Sequence, residues 1–286
     1  MAAGAGPIVV DTAPPASVRW LAIALAATVL ALGVGAGYKA PCLTHPWDGF
    51  QYENRCYNDV FPLYSFRHLD GDDIPYLSFV PPGPGERIED ARGFNEYPVL
   101  TGMVQYVTSR PVSDGAGFFV VTALVMAAAA IATTVLLWRG GVRPLWLIGW
   151  AVAPPLALYA FNNWDLLAVV FATAGLVAYR KERPALAGAM LALGACAKIY
   201  PALLLPLVGC DLLRREHGLG KNGWRYGVAA VATLAVVQGP FMALNFPGWW
   251  ATYSFHLERG PTFESLWSVL GHLAQELPEW ARFWGE

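Results

Sequence analysis

The chain has 286 residues, of which 56% are hydrophobic and 14% charged, and a formal net charge of -2, with a mean hydropathy of +0.40. That balance excludes an ordinary soluble domain, and the near-neutral charge gives no electrostatic footing for nucleic-acid binding. The sequence reads as an all-α polytopic membrane protein, a single transmembrane domain over 1–286.

The first element is Trp20 to Tyr38 (WLAIALAATVLALGVGAGY). It carries no charge and is long enough to cross about 30 Å of hydrocarbon. The run exceeds a signal-peptide core of about 7 to 15 residues, and further spans follow, so it reads as an uncleaved first helix. An external region follows over 39–114. Inside it, Pro81 to Glu86 (PPGPGE) reads as a surface turn. Tyr97 to Ser109 reads as an interfacial or re-entrant helix, with Pro98 in its first turn. A full crossing there would reverse every later loop.

Three later spans are Phe118 to Trp138, Pro144 to Phe161 and Leu166 to Tyr179. The loops Arg139 to Arg143, Arg180 to Arg183 and Arg214 to Arg225 hold the clustered Lys and Arg, which places all three in the cytoplasm. The Asn162-Asn163-Trp164-Asp165 turn is then external. Between Arg183 and Arg214 both ends are basic, so two short arms must meet toward the outer half of the bilayer, with Lys198-Ile199-Tyr200-Pro201 at the bend. Arms of roughly 14 residues reach only about 21 Å, which is tolerated where protein or a water-filled cavity satisfies the backbone. Tyr226 to Asn245 exits last, leaving 246–286 outside. With this topology the polar clusters from Asp59 to Arg259 fall on one face.

Of the four cysteines, Cys42 and Cys56 are external and a disulfide between them is open to formation in an oxidising compartment. Cys196 and Cys210 read as small core residues in the membrane. No internal repeat, P-loop, dinucleotide fingerprint or structural zinc spacing is present, so no cofactor is expected, while a divalent metal stays open.

Several strings carry a resemblance: Cys56-Tyr57-Asn58-Asp59 with Phe61-Pro62-Leu63-Tyr64, Ile74-Pro75-Tyr76, Glu96-Tyr97-Pro98-Val99-Leu100-Thr101-Gly102, Asn163-Trp164-Asp165 and Lys198-Ile199-Tyr200-Pro201. In order and spacing, from Cys42 to Trp267, they resemble the actinobacterial polytopic mannosyltransferases of the GT-C superfamily. The nearest group is the polyprenol-phosphomannose-dependent enzymes (glycosyltransferase family 87-like). The resemblance implies a helical bundle in the plasma membrane with its active site on the extracytoplasmic face. It implies a polyprenyl phosphate sugar donor and a glycolipid or glycan acceptor. Such enzymes continue with further transmembrane helices, so the chain, ending at Glu286, is expected to be a shortened or split member.

The chemistry assigns roles. Phosphate leaves far more readily than an alkoxide, so transfer from a lipid phosphate needs one carboxylate as general base. Asp59 is the candidate, set between Tyr57 and Phe61, and the resemblance implies a catalytic aspartate in this first external loop. The alternative is a solvated loop aspartate. Lys198 is the candidate for the donor phosphate, because a lysine at membrane depth is costly and usually tied to a site. Its alternatives are snorkelling and pairing with Asp165. His256 and Arg259 complete a phosphate clamp or form an ordinary basic loop. Glu96, Tyr97, Asn163, Asp165 and Tyr200 are candidates for sugar or acceptor contacts, with Glu96 and Asp165 alternatively pairing with Lys198. Trp164, Trp249, Trp250 and Trp267 stack on sugar or prenyl faces or form the interfacial belt. The rival functions are a transporter or flippase and an inactive partner subunit.

Overall fold

In the computed structural model, the described residues are 17–259 and 266–276, without the side chains of 267, 272 and 274–276. Among them every regular element is helical. The order is α1 (Val18–Lys39), α2 (Phe50–Glu53), α3 (Val60–Phe66), α4 (Val99–Ser109), α5 (Gly115–Arg139), α6 (Pro144–Ala151), α7 (Pro154–Tyr159), α8 (Asp165–Arg180), α9 (Pro184–Ala197), α10 (Leu204–Arg215), α11 (Lys221–Leu244), α12 (Phe246–Glu258) and α13 (Leu266–Glu276). Helices α1, α5 and α11 are long and apolar enough to cross a membrane. The protein is an all-α polytopic membrane protein.

Several sequence-based boundaries are corrected. The span expected from Pro144 to Phe161 is two helices, α6 and α7, because Pro154-Pro155 cannot continue the ladder of α6 and instead starts a new helix. Pro98 caps α4 rather than lying in its first turn. The last long helix begins at Lys221, inside the stretch read as loop, and α12 follows directly, within what was read as a tail. Cys210 is exposed rather than in the core, while Cys196 is buried.

Packing follows the rules of apolar solvent, in which small residues and hydroxyls make the helix contacts. Thr28 of α1 meets Thr134 of α5 at 3.0 Å, and Trp150 Nε1 donates to the same Thr134 hydroxyl at 3.0 Å. The main core joins α1, α3, α5, α7 and α8 through Leu32, Val60, Phe118, Met126, Leu156 and Trp164. Apolar positions on the three long helices, such as Leu30, Leu124, Val231 and Val236, remain exposed.

One end of the bundle gathers its polar links. The C-terminal Lys39 of α1 donates to Asn162 Oδ1 at 3.0 Å, in the turn between α7 and α8. Thr101 of α4 donates to the carbonyl of Ala197 at the end of α9, 2.7 Å away. Asn245, after α11, donates to the carbonyls of Leu77 and Phe79, both at 3.1 Å. These contacts bring the ends of α1, α7, α9 and α11 to the 39–114 region. The loops 139–143, 180–183 and 214–225 lie at the other ends of α5, α8, α9 and α11. The basic loops and the polar cluster therefore occupy opposite ends.

The 39–114 region is folded rather than a plain linker. Cys42 and Cys56 form a disulfide, with Cα atoms 5.6 Å apart, which closes the loop carrying α2. Tyr76 is fully buried and has a φ of 68°. Its hydroxyl donates to the carbonyl of Tyr97 at 2.7 Å. Gly102 faces it, and a Cβ there would fall 1.9 Å from the Tyr76 hydroxyl oxygen. Gly248 lets α12 lie on the same turn, since a Cβ would fall 2.0 Å from the Tyr76 carbonyl oxygen. The Pro81 to Glu86 stretch has no regular structure and carries one side-chain bond, Gly83 N to Glu86 Oε2 at 2.8 Å.

Candidate active site

Asp59 sits at the N-terminus of α3, where Asn58 rather than Asp59 caps the helix: Asn58 Oδ1 accepts from Phe61 N at 2.8 Å. That leaves the Asp59 carboxylate for other partners. Its backbone N–H donates to the Asn162 carbonyl at 2.7 Å. The Tyr57 hydroxyl donates to Oδ1 at 2.8 Å and the Tyr97 hydroxyl to Oδ2 at 3.3 Å.

Burial pushes the Asp59 carboxyl above the ordinary carboxylate range; the Tyr57 hydroxyl and Lys198 draw it back, while nearby Glu96 raises it further. Burial also holds the Tyr97 phenol well above its usual range, so it remains a donor.

The other two carboxylates are tied to cations. Arg67 Nε meets Glu96 Oε2 at 2.6 Å, and the same guanidinium donates to the Glu89 carbonyl at 2.5 Å and covers the Phe94 ring at 4.8 Å. The expected Glu96–Lys198 pairing is thereby replaced, because the partly buried Arg67 reaches Glu96 through Nε while Asp165 takes Lys198. Lys198 instead forms an ion pair with Asp165. Asp165 opens α8, its backbone N–H held by Asn163 Oδ1 at 2.9 Å. Lys198 follows the last turn of α9 in extended conformation, with its ammonium 6.0 Å from the centre of the Tyr97 ring.

Helix α12 supplies the remaining wall. Thr252 donates to the Asn95 carbonyl at 2.7 Å. His256 Nε2 lies 2.8 Å from the Glu96 carbonyl oxygen, and since a carbonyl only accepts, that nitrogen carries the proton. Arg259, just beyond the helix, is exposed, with its guanidinium 5.5 Å from the Phe255 ring.

These groups surround one cavity of about 540 Å³ lined by Tyr57, Asp59, Glu96, Tyr97, Pro98, Asn163, Lys198, Ile199, Tyr200, His256 and Arg259. The expected donor-binding residues Lys198, His256 and Arg259 and the expected base thus face a shared space. So do Glu96, Tyr97, Asn163 and Tyr200, whereas Asp165 reaches the cavity through Lys198. Trp164 is 1% exposed with its ring against Tyr97, so it supports the wall and offers no sugar platform. Trp249 is bonded to Gln238 at 2.7 Å, Trp250 is exposed, and Trp267 belongs to α13 with its side chain outside the described residues. Among the described residues no cluster of three or more His, Cys, Asp or Glu side chains forms a metal cage.

Sequence reasoning missed four supporting residues: Tyr57 as a donor to Asp59, Arg67 as the partner of Glu96, and the Lys39–Asn162 contact behind Asp59. The Tyr-x-Asp spacing was a usable signal for the first. A cation closing an apolar helix, as Lys39 does, ordinarily reads as an interfacial anchor.

The model for glycosyltransferase family 87 matches residues 97–283. No curated protein matches the chain. No solved structure matches it.

Proposed function

The chain belongs to glycosyltransferase family 87, and from that premise we propose that it transfers a sugar, mannose by the resemblance of its motifs, from a polyprenyl phosphate to a glycolipid or glycan hydroxyl. Transfer takes place on the extracytoplasmic face of the plasma membrane and inverts the anomeric carbon. The acceptor oxygen attacks that carbon, the carbon–oxygen bond to phosphate breaks, and its electron pair leaves with the phosphate. Asp59 takes the acceptor proton. Lys198, His256 and Arg259 offset the charge of the phosphate.

The observation that carries this reading is the division of labour among three carboxylates. Among the described residues Glu96 is paired with Arg67 and Asp165 with Lys198, while Asp59 forms no ion pair and takes hydrogen bonds from two phenols. A carboxylate with raised proton affinity, facing cations across one cavity, suits general-base work. The concentration of these groups at the bundle end opposite the basic loops supports an enzyme over a transporter, whose charged site would lie near the midplane. The same separation supports an extracytoplasmic site.

The test is reconstitution in lipid vesicles with polyprenyl phosphomannose or a nucleotide-linked mannose, and a synthetic alkyl mannoside as acceptor. Transfer from the lipid-linked donor alone, with the opposite anomeric configuration in the product by NMR, is expected. Use of only the nucleotide donor, or retained configuration, would contradict the proposal.

A further inference from the structure

A second cavity of about 410 Å³ opens beside the first, and Tyr57 lines both. The two also divide consecutive residues of the turn before α8, with Asn162 on the second cavity and Asn163 on the first. Its walls include Lys39 and Arg55, the amide side chain of Gln51, and the rings of Tyr52 and Tyr159, and no carboxylate is among the lining residues. The first cavity by contrast holds two carboxylates with its cations.

The construction of this wall favours a ligand with flat apolar faces, hydroxyls and negative charge. Tyr52 stacks on Tyr57 with ring centres 5.6 Å apart and planes 13° from parallel, and Tyr52 and Tyr159 are exposed. Lys39 is 5% exposed and uses two of its three N–H donors on the Tyr57 carbonyl and Asn162 Oδ1. Arg55 is exposed, held on a left-handed turn with a φ of 56° between α2 and the disulfide-bonded Cys56. An exposed guanidinium presents paired donors to a phosphate or carboxylate.

We infer that this second cavity is the acceptor subsite, receiving the non-reacting part of a glycan that carries an anionic substituent next to Arg55, with sugar rings against the Tyr52–Tyr57 pair. The inference rests on the glycosyltransferase reading above. Tyr57 is then the shared partition: one side contacts acceptor, and its hydroxyl holds the carboxylate that takes the acceptor proton.

The test compares two synthetic acceptors, octyl mannoside and the same compound bearing a phosphate, with the whole chain in vesicles of neutral lipid. For the unsubstituted protein kcat/KM should favour the phosphorylated acceptor. In Arg55→Gln that preference should fall about tenfold, and in Arg55→Glu it should reverse, the change residing in the acceptor KM. Inorganic phosphate, added separately, should compete with the phosphorylated acceptor only, while the same chemistry supplied by lipid is tested by adding phosphatidylglycerol to the vesicles. Inhibition of both acceptors alike by phosphatidylglycerol would assign the cations to a lipid headgroup and overturn the inference. Transfer with a preference that neither Arg55 variant changes would also overturn it while leaving the transferase reading intact. Absence of transfer to either acceptor from the lipid-linked donor would remove both. Because Arg55 is exposed, melting temperatures of the two variants within about 2 °C of the unsubstituted protein are expected, and these separate a binding effect from misfolding.

Discussion

Asp165, the first residue of α8, and Lys198, the residue after the last turn of α9, close an ion pair that joins the two helices at the cavity wall. Their side chains are 41% and 32% exposed. A pair so open to solvent contributes at most about 1 kcal/mol to stability, which separates its structural weight from its chemical one. Lys198→Met should therefore keep its fold, with a fall in stability below about 1 kcal/mol, while the donor KM rises about tenfold or more. Lys198→Arg should recover part of the donor affinity, because charge returns in a different geometry. Thermal unfolding and donor titration of the two variants check this. Unchanged donor affinity with a lowered melting temperature would assign Lys198 to structure alone.

The raised proton affinity of Asp59 has a signed consequence. A base works in its deprotonated form, so transfer should be lost as pH falls through a value above the ordinary carboxylate range. For stability the sign is the reverse of a salt-bridged aspartate. The folded state holds the Asp59 proton more tightly than the unfolded chain does, so this group's contribution declines as pH rises from the unfolded to the folded value. Asp59→Asn removes that decline and should be at least as stable as the unsubstituted protein at neutral pH. A pH–rate profile and melting curves measured across the acidic range test both signs.

Gly102 and Tyr76 form a contact that sets Tyr97. Gly102→Ala would drive a methyl group into the Tyr76 hydroxyl, displacing the donor that holds the Tyr97 carbonyl. A stability loss of about 1 to 3 kcal/mol is expected from overpacking, together with a fall in transfer because Tyr97 also donates to Asp59. Gly33→Ala on α1 meets nothing within 4 Å and should lower neither stability nor transfer. Equal behaviour of the two variants in unfolding and activity assays would refute the contact's importance.

Sidedness is testable by labelling. In a background with the exposed Cys210 replaced by serine, a cysteine at Arg183 should react only from the cytoplasm and one at Gly83 only from outside. Both positions are exposed. Reaction of both from one side would place the cavity and the basic loops on the same face and remove the extracytoplasmic assignment.

Much of this architecture is legible in the sequence because membrane solvent imposes a simple code. Uncharged runs give α1 and α5, and basic loops give the alternation of chain direction. The bend at Lys198 was readable because arms too short to cross the bilayer need a cavity. The break at Pro154-Pro155 is hidden in the hydropathy because that averages across it, whereas proline geometry acts on one residue. Contacts such as Arg67 with Glu96 were hidden for a different reason: they join residues 29 apart in an irregular segment, where no helical or strand period relates one side chain to another. The position of Tyr97 likewise depends on the positive φ of Tyr76, which no residue preference announces.

Replacing the Asp59 carboxylate by an amide of the same size isolates its role in taking the acceptor proton. In vesicles supplied with polyprenyl phosphomannose and an alkyl mannoside, Asp59→Asn should transfer sugar about 100-fold or more slowly than the unsubstituted protein. Binding of the donor should persist, because Lys198, His256 and Arg259 remain in place. Near-normal turnover in Asp59→Asn, with the donor bound as before, would remove Asp59 from that role.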